Sequence, residues 1–247
     1  MNGQPLRYLS LFSGIGGFDL GFDRAGMVCA GQVEIDDYCR RVLAKHWPDV
    51  KRMADIKEVE GDDFGAVDVI CGGFPCQPHS VAGNRKASQD ERDLWGEFAR
   101  IIYRVKPRWV VAENVFGLLS SEGGRFFGRV LRDLAAGGYD ATWQVLRASD
   151  VGAIHKRERV FLVAHRDGQR IERFWQEPLS RVAAFSWCEN VRRAEDLRGR
   201  SDIPQPLVRR KSDGFPRRVD MLGNAVVPQV AEWIGRRIVA AEQEQTQ

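Results

Sequence analysis

The sequence predicts an α/β fold built on a doubly wound, mostly parallel sheet, with a small loop-rich lobe set into its C-terminal third. Three observations lead there. Short apolar runs alternate with amphipathic stretches from the N-terminus to about residue 165, the signature of βαβ units. The first run leads straight into the glycine-rich turn Ser13-Gly14-Ile15-Gly16-Gly17, and Glu34 lies twenty residues beyond Gly14, at the end of the second run. Periodicity fails after Ala164 and helical spacing returns only at Val226, so the chain is expected to leave the first domain and re-enter it.

Taken in order, strands are predicted over Tyr8–Phe12, Val28–Val33, Val67–Cys71, Trp109–Glu113, Thr142–Arg147 and Val160–Ala164. Helices fill the gaps. Asp36-Asp37 caps one that runs to His46 and is stopped by Pro48. A second spans about Leu94 to Val105 and ends before Pro107. A third spans Gly124 to Ala136 and stops at Gly137-Gly138. The last runs from Val226 to Ala241, with Val226, Val230, Ile234 and Ile238 marking its turns, before a frayed polar tail. The expected domains are 1–165, a small loop-rich lobe over 166–218, and 219–247 returning to the first domain.

At 247 residues the chain is long enough to bury a full core. It contains no apolar run of membrane-helix length and no charged-then-apolar leader, so neither export nor insertion is expected and a cytoplasmic location is. Five cysteines without paired spacing argue for reduced thiols rather than a disulfide scaffold. Cys71, Cys76 and His79 are close in sequence but lack a fourth ligand, and Cys71 falls in a strand pattern, so no metal site is expected. The net charge of +3 hides a regional excess: 166–218 carries 13 Lys/Arg, twelve of them Arg, against 8 Asp/Glu. The arginine fork suits phosphate oxygens and base edges, while a solvated basic loop is the plainer alternative.

Four constellations carry chemistry. The glycine turn followed by Glu34 has nucleotide-binding spacing, with the carboxylate placed for ribose hydroxyls, though G-x-G-G lacks the final glycine of the dinucleotide fingerprint and suits a ligand without pyrophosphate. Asp55 can accept from an adenine amine or act as a turn residue. Cys76, in Gly72-Gly73-Phe74-Pro75-Cys76-Gln77-Pro78, is flanked by prolines that exclude helix and present the thiol at a strand end, as a nucleophile requires; a small buried cysteine is the alternative. Glu113-Asn114-Val115 emerges at the same sheet edge, where a carboxyl can hold a protonated substrate nitrogen while sulfur attacks, or else cap the next helix. His155-Lys156-Arg157-Glu158-Arg159 is an anion clamp or a solvated charge run.

In order, Phe12–Gly17, Glu34, Gly73–Pro78, Glu113–Val115, Arg157–Arg159 and Leu222–Pro228 resemble the motif series of DNA (cytosine-5) methyltransferases. The resemblance implies a Rossmann-like, S-adenosylmethionine-dependent fold. It implies a cofactor pocket of Phe12, Gly14, Ile15, Gly17, Glu34, Asp55, Ile56, Pro75, Leu94, Asn224 and Val226. Cys76 is then the nucleophile toward carbon 6 of a flipped-out cytosine, Glu113 holds the ring nitrogen, Arg159 contacts the base carbonyl and Arg157 supports the site. The loop from Gln77 to Arg92 would close over the base. Double-stranded DNA is the implied substrate of a monomer, with a cognate restriction endonuclease as an optional partner. An RNA (tRNA) cytosine-5 methyltransferase and a catalytically idle DNA-binding member are the alternatives. The sequence departs from many members at Ile154 and His155 and in the brevity of 166–218.

Overall fold

The structure, a computed structural model, describes residues 4–75, 94–153, 156–166, 171, 174–176 and 224–244. Seven strands form one sheet: β1 (Arg7–Leu11), β2 (Val28–Val33), β3 (Arg52–Met53), β4 (Val69–Gly73), β5 (Trp109–Val115), β6 (Asp140–Arg147) and β7 (Glu158–His165). Their spatial order is β3-β2-β1-β4-β5-β7-β6. From β3 to β5 all pairings are parallel, and β7 runs antiparallel to both β5 and β6. The order reverses between β1 and β4, the crevice where open α/β sheets bind ligands beyond their carboxyl ends.

Two helix layers follow from strict alternation along the strands. Leu9 and Leu11 of β1, Ile70 of β4, Val110 and Ala112 of β5 and Leu162 of β7 face a core completed by helices α3 (Trp95–Val105) and α4 (Arg125–Ala136). Tyr8, Val69, Cys71, Trp109, Val111, Phe161 and Val163 face the opposite core, under α1 (Gly17–Arg24) and α5 (Pro228–Gln243). Central strands buried on both sides read as continuous apolar runs, which is why they were legible. Helix α2 (Asp37–His46) starts where the sequence places it: the Asp36 side chain accepts from the Cys39 N–H.

Three corrections to the predicted elements have physical causes. β4 runs on to Gly73 because Gly72 and Gly73 still pair with Ala112 and Glu113. β5 and β7 likewise extend past their apolar runs, to Val115 and back to Glu158, because Val115 pairs with Arg159 of β7 and Glu158 pairs with Arg147 of β6. β3 was missed, being two residues long at the sheet edge with no alternation to read.

Helix α5 brings the end of the described chain back to the sheet. A Cβ at Gly17 would sit 2.4 Å from the Val226 carbonyl oxygen, and one at Gly21 would sit 2.5 Å from the Ala231 Cβ, so only glycine lets α1 approach this closely. At the far end, buried Glu242 accepts from Trp109 Nε1 at 2.9 Å and pairs with Arg108. Anchored at both ends, α5 holds Asn224 to Val226 at the crevice. Ile171 and Phe174, the buried described residues from the predicted lobe, pack into the α1/α5 core, and Trp175 donates to Thr142 Oγ1. Residues 167–170, 172–173 and 177–218, the loop from Gln77 to Arg92, Ile154 and His155 lie outside the described residues.

Candidate active site

A cavity of about 560 Å³ opens at the carboxyl ends of β1, β2, β4 and β5. Its walls include Phe12, Gly14, Glu34, Asp55, Ile56, Pro75, Leu94, Asn224 and Val226, all predicted from sequence. Glu113 lies on the same wall. Ile15 and Gly17 do not line it; Gly17 packs instead against Val226. Arg157 and Arg159 stand behind Glu113 rather than in the cavity wall.

The first corner is built by β1, α1 and β2. Gly14 and Gly16 adopt left-handed φ values of 56 and 88 in the turn that leads into α1, and the Gly14 N–H faces Glu34. That N–H donates to Glu34 Oε2 at 2.7 Å, and the Asp36 N–H donates to Glu34 Oε1 at 2.7 Å. Glu34 therefore brackets the turn and the entry to α2 before any ligand arrives. Phe12 takes a left-handed φ of 52, uncommon for a residue with a side chain, and its ring stacks on Phe98 at 6.3 Å. Asp55 accepts from the Lys57 N–H at 2.9 Å, capping a short helical turn, Ile56–Glu58, so the turn reading and the cavity position both hold. Arg100 of α3 fixes that turn by donating to the carbonyls of Ile56 and Val59.

Sequence reasoning missed several wall residues. Ser13, Phe18, Val33, Ile35, Cys39, Ala54 and Lys57 also line the cavity. Phe18, Val33 and Cys39 are buried. Ile35 is 72% exposed beside Glu34, and an apolar residue left open at a strand end was the available signal.

The second corner is built by β4, β5 and β7. Glu113 pairs in register with Gly73 on one side and Phe161 on the other, which places it on a strand flanked by β4 and β7. A Cβ at Gly73 would come within 2.9 Å of Glu113 Oε2, so the missing side chain makes room for the carboxyl. Asn114 donates from Nδ2 to the Phe74 carbonyl at 2.9 Å, tying the segment that leads to Cys76 onto the strand that carries Glu113. Arg159 Nε lies 3.0 Å from Glu113 Oε1, yet that buried oxygen has no aligned hydrogen bond among the described residues. Burial pushes the Glu113 carboxyl up to about 7, with Arg159 and then Arg157 pulling the other way. Such a group is poised to give or hold a proton near neutrality. Cys76, the residue after Pro75, lies outside the described residues, as does His79; Cys71 is fully buried in β4.

Beneath the glycine turn lies a buried polar network. Asp19 accepts from Ser10 Oγ at 3.0 Å and Gln32 Nε2 at 2.8 Å, and Gln32 in turn accepts from Arg52 Nε at 2.7 Å. Desolvation raises the Asp19 carboxyl to about 6. The network locks α1 against β1 and β2.

The cavity falls within the roughly 300–1,000 Å³ typical of small-ligand sites. It joins apolar walls at Phe12, Phe18, Ile35 and Ile56 to carboxylates at Glu34, Asp36 and Asp55, a set of acceptors that fits a nucleoside donating from hydroxyl and amine groups.

Comparison with known proteins agrees with this geometry. A family model described as C-5 cytosine-specific DNA methylase matches residues 6–206. The chain is 34% identical over 164 residues to the Type II methyltransferase M.HgiCII of Herpetosiphon aurantiacus, a match covering 65% of this chain and 37% of that protein. It is 34% identical over 170 residues to the Type II methyltransferase M.HhaI of Haemophilus parahaemolyticus, covering 68% and 52%. A proposed DNA modification methyltransferase encoded within an E. coli prophage superposes with a TM-score of 0.57 at 29% identity, covering 65% and 46%. The S. pombe Dnmt2 methyltransferase shares the fold, with a TM-score of 0.56 at 23% identity over 70% and 55% of the two chains. The matched stretch thus spans only 37% and 52% of these two curated relatives.

Proposed function

Because the chain belongs to the C-5 cytosine-specific DNA methylase family, we propose that it methylates carbon 5 of cytosine in double-stranded DNA, with S-adenosylmethionine as cofactor. When bound, that cofactor supplies an electrophilic methyl group. Glu34, Asp55 and Ile56 would hold its nucleoside, with Phe12, Gly14, Pro75, Leu94, Asn224 and Val226 completing the enclosure. Ile15 and Gly17 would act by shaping the turn and admitting Val226.

Cys76 would add as the thiolate to carbon 6 of a flipped-out cytosine, forming a carbon–sulfur bond and making carbon 5 nucleophilic. Glu113 would protonate or hold the ring nitrogen as charge moves onto the ring. Arg159, 3.0 Å from the Glu113 carboxyl, would orient it and contact the base carbonyl. After methylation a base removes the carbon 5 proton, and elimination returns the electron pair to sulfur. Residues 166–218, rich in arginine, would read the DNA, with residues 1–165 and 219–247 forming the catalytic domain.

One observation carries this reading: a buried carboxyl raised to about 7 opens onto a cofactor-sized cavity whose wall includes Pro75, the residue before Cys76. Bisulfite sequencing of DNA from cells expressing the chain tests it. Protected cytosines in one sequence context are expected. Their absence, with methylated cytosine found in tRNA, would move the substrate to RNA; their absence from both, with DNA binding retained, would make the chain an idle DNA-binding member.

A further inference from the structure

Arg157 connects two parts of the site that are far apart in sequence. It lies just before β7, with a φ of 35 that places a non-glycine residue in the left-handed region. Its Nη2 donates to the Ala225 carbonyl at 2.8 Å across a separation of 68 residues. Ala225 lines the cofactor cavity between Asn224 and Val226. The same guanidinium acts electrostatically on Glu113, two residues' distance from Arg159, which pairs with that carboxyl directly. An uncommon backbone conformation held by tertiary contacts is where a fold keeps a functional constraint.

We propose that Arg157 is a positioning residue that ties the cofactor cavity to the catalytic carboxyl: it holds the Asn224–Val226 wall through the Ala225 carbonyl while keeping positive charge beside Glu113. This rests on the methyl-transfer reading above. The wall segment has two supports. On one side α1 packs against Val226 through Gly17. On the other side the bond from Arg157 is the described contact that leads to the catalytic corner.

The surroundings of Glu113 make the electrostatic half specific. Among the described residues, β4 presents Gly73 and β7 presents Phe161 in register, neither of them charged. The charged groups acting on the carboxyl are Arg159 on β7 and Arg157 before it. Both pull its titration downward against burial. Removing Arg157 therefore leaves Glu113 protonated to higher pH.

The test uses the full chain, with S-adenosylmethionine affinity measured by calorimetry and single-turnover methyl transfer to DNA measured against pH. Arg157→Met should weaken cofactor affinity about tenfold, the scale of one lost hydrogen bond from a charged donor. It should also move the alkaline limb of the rate profile to higher pH. Arg157→Lys keeps the charge and loses the fork, so its limb should return to the wild-type position while affinity stays weak. It also serves if the Met variant does not fold. Weakened affinity with an unmoved limb in Arg157→Met, or a shifted limb in Arg157→Lys, would reduce Arg157 to a packing residue and overturn the coupling. Wild-type protein that neither binds the cofactor nor methylates DNA would overturn the methyl-transfer reading itself. An active wild type with both readouts unchanged in the variants would overturn this inference alone.

Discussion

In the corner formed by β1, α1 and β2, both oxygens of Glu34 accept backbone N–H groups at 2.7 Å, from Gly14 and from Asp36. In the corner formed by β4, β5 and β7, Glu113 faces Arg159 across 3.0 Å and leaves Oε1 without an aligned donor among the described residues. Both carboxylates open onto one cavity at one sheet edge. The difference teaches how the fold divides binding from chemistry. A carboxylate bracketed by backbone donors is fixed in place and presents a stable acceptor surface. A buried carboxyl with little hydrogen bonding is held near its protonation midpoint, where changing charge on a substrate can be met with a proton.

The largest effect should come from Cys76, the proposed nucleophile. Cys76→Ser is expected to lower methyl transfer by about a thousandfold or more while leaving S-adenosylmethionine affinity within about twofold. Radiolabelled methyl incorporation and calorimetry read the two halves, and methylation persisting at the wild-type rate would remove Cys76 as nucleophile. Next in size is Glu113→Gln, which keeps the shape and loses the proton. Methyl transfer should fall by about a hundredfold or more. Because the protonated form is the active one and titrates at about 7, the wild-type rate should decline above that pH, and the variant should lose this limb. A variant that keeps the limb would place the acid elsewhere.

How far the sequence announced these corners follows from what each is made of. The Asp36 cap, the helix ends at Val105 and Ala136 and the double-sided strands β4 and β5 are local patterns, and they were readable as such. The Gly14 to Glu34 bracket was readable because turn and carboxylate follow one another across a single βαβ unit. The antiparallel setting of β7 was not, since an apolar run does not encode strand direction. Nor was the bond from Arg157 to Ala225, which joins residues 68 positions apart and leaves no local trace. Phe18 and Cys39 gave no separate signal because they are buried in the core; the cavity is cut into the hydrophobic layer itself. The raised carboxyl at Glu113 depends on burial between strands that only the tertiary pairing creates.

A third substitution sharpens the contrast from the binding side. Glu34→Ala removes two charge-assisted acceptors from the glycine turn, so S-adenosylmethionine affinity should weaken by about ten- to a hundredfold. Methyl transfer at saturating cofactor should change little, the opposite split from Glu113→Gln. If Glu34→Ala lowered the saturated rate as much as Glu113→Gln does, the division of labour between the corners would not stand.

The smallest expected effect concerns stability against pH, and it separates the two corners without any substrate. Glu113 titrates at about 7 in the folded protein against a usual 4.5, and Asp19, beneath the glycine turn, at about 6 against a usual 3.8. In both, burial raises the folded value, so between each pair of values the folded state binds more protons than the unfolded one. Stability from each group is then fully present below the unfolded value and is lost as pH rises through the folded value. Wild-type Tm should therefore fall as pH is raised from about 4 to about 8, with Asp19 setting the lower part of the decline and Glu113 the upper part. Glu113→Gln should flatten the upper part, and Asp19→Asn the lower part. Scanning calorimetry across that range checks both. A Glu113→Gln profile that still declines between pH 6 and 8 as the wild type does would mean that the catalytic corner carries no elevated carboxyl, and the contrast between the corners would be lost.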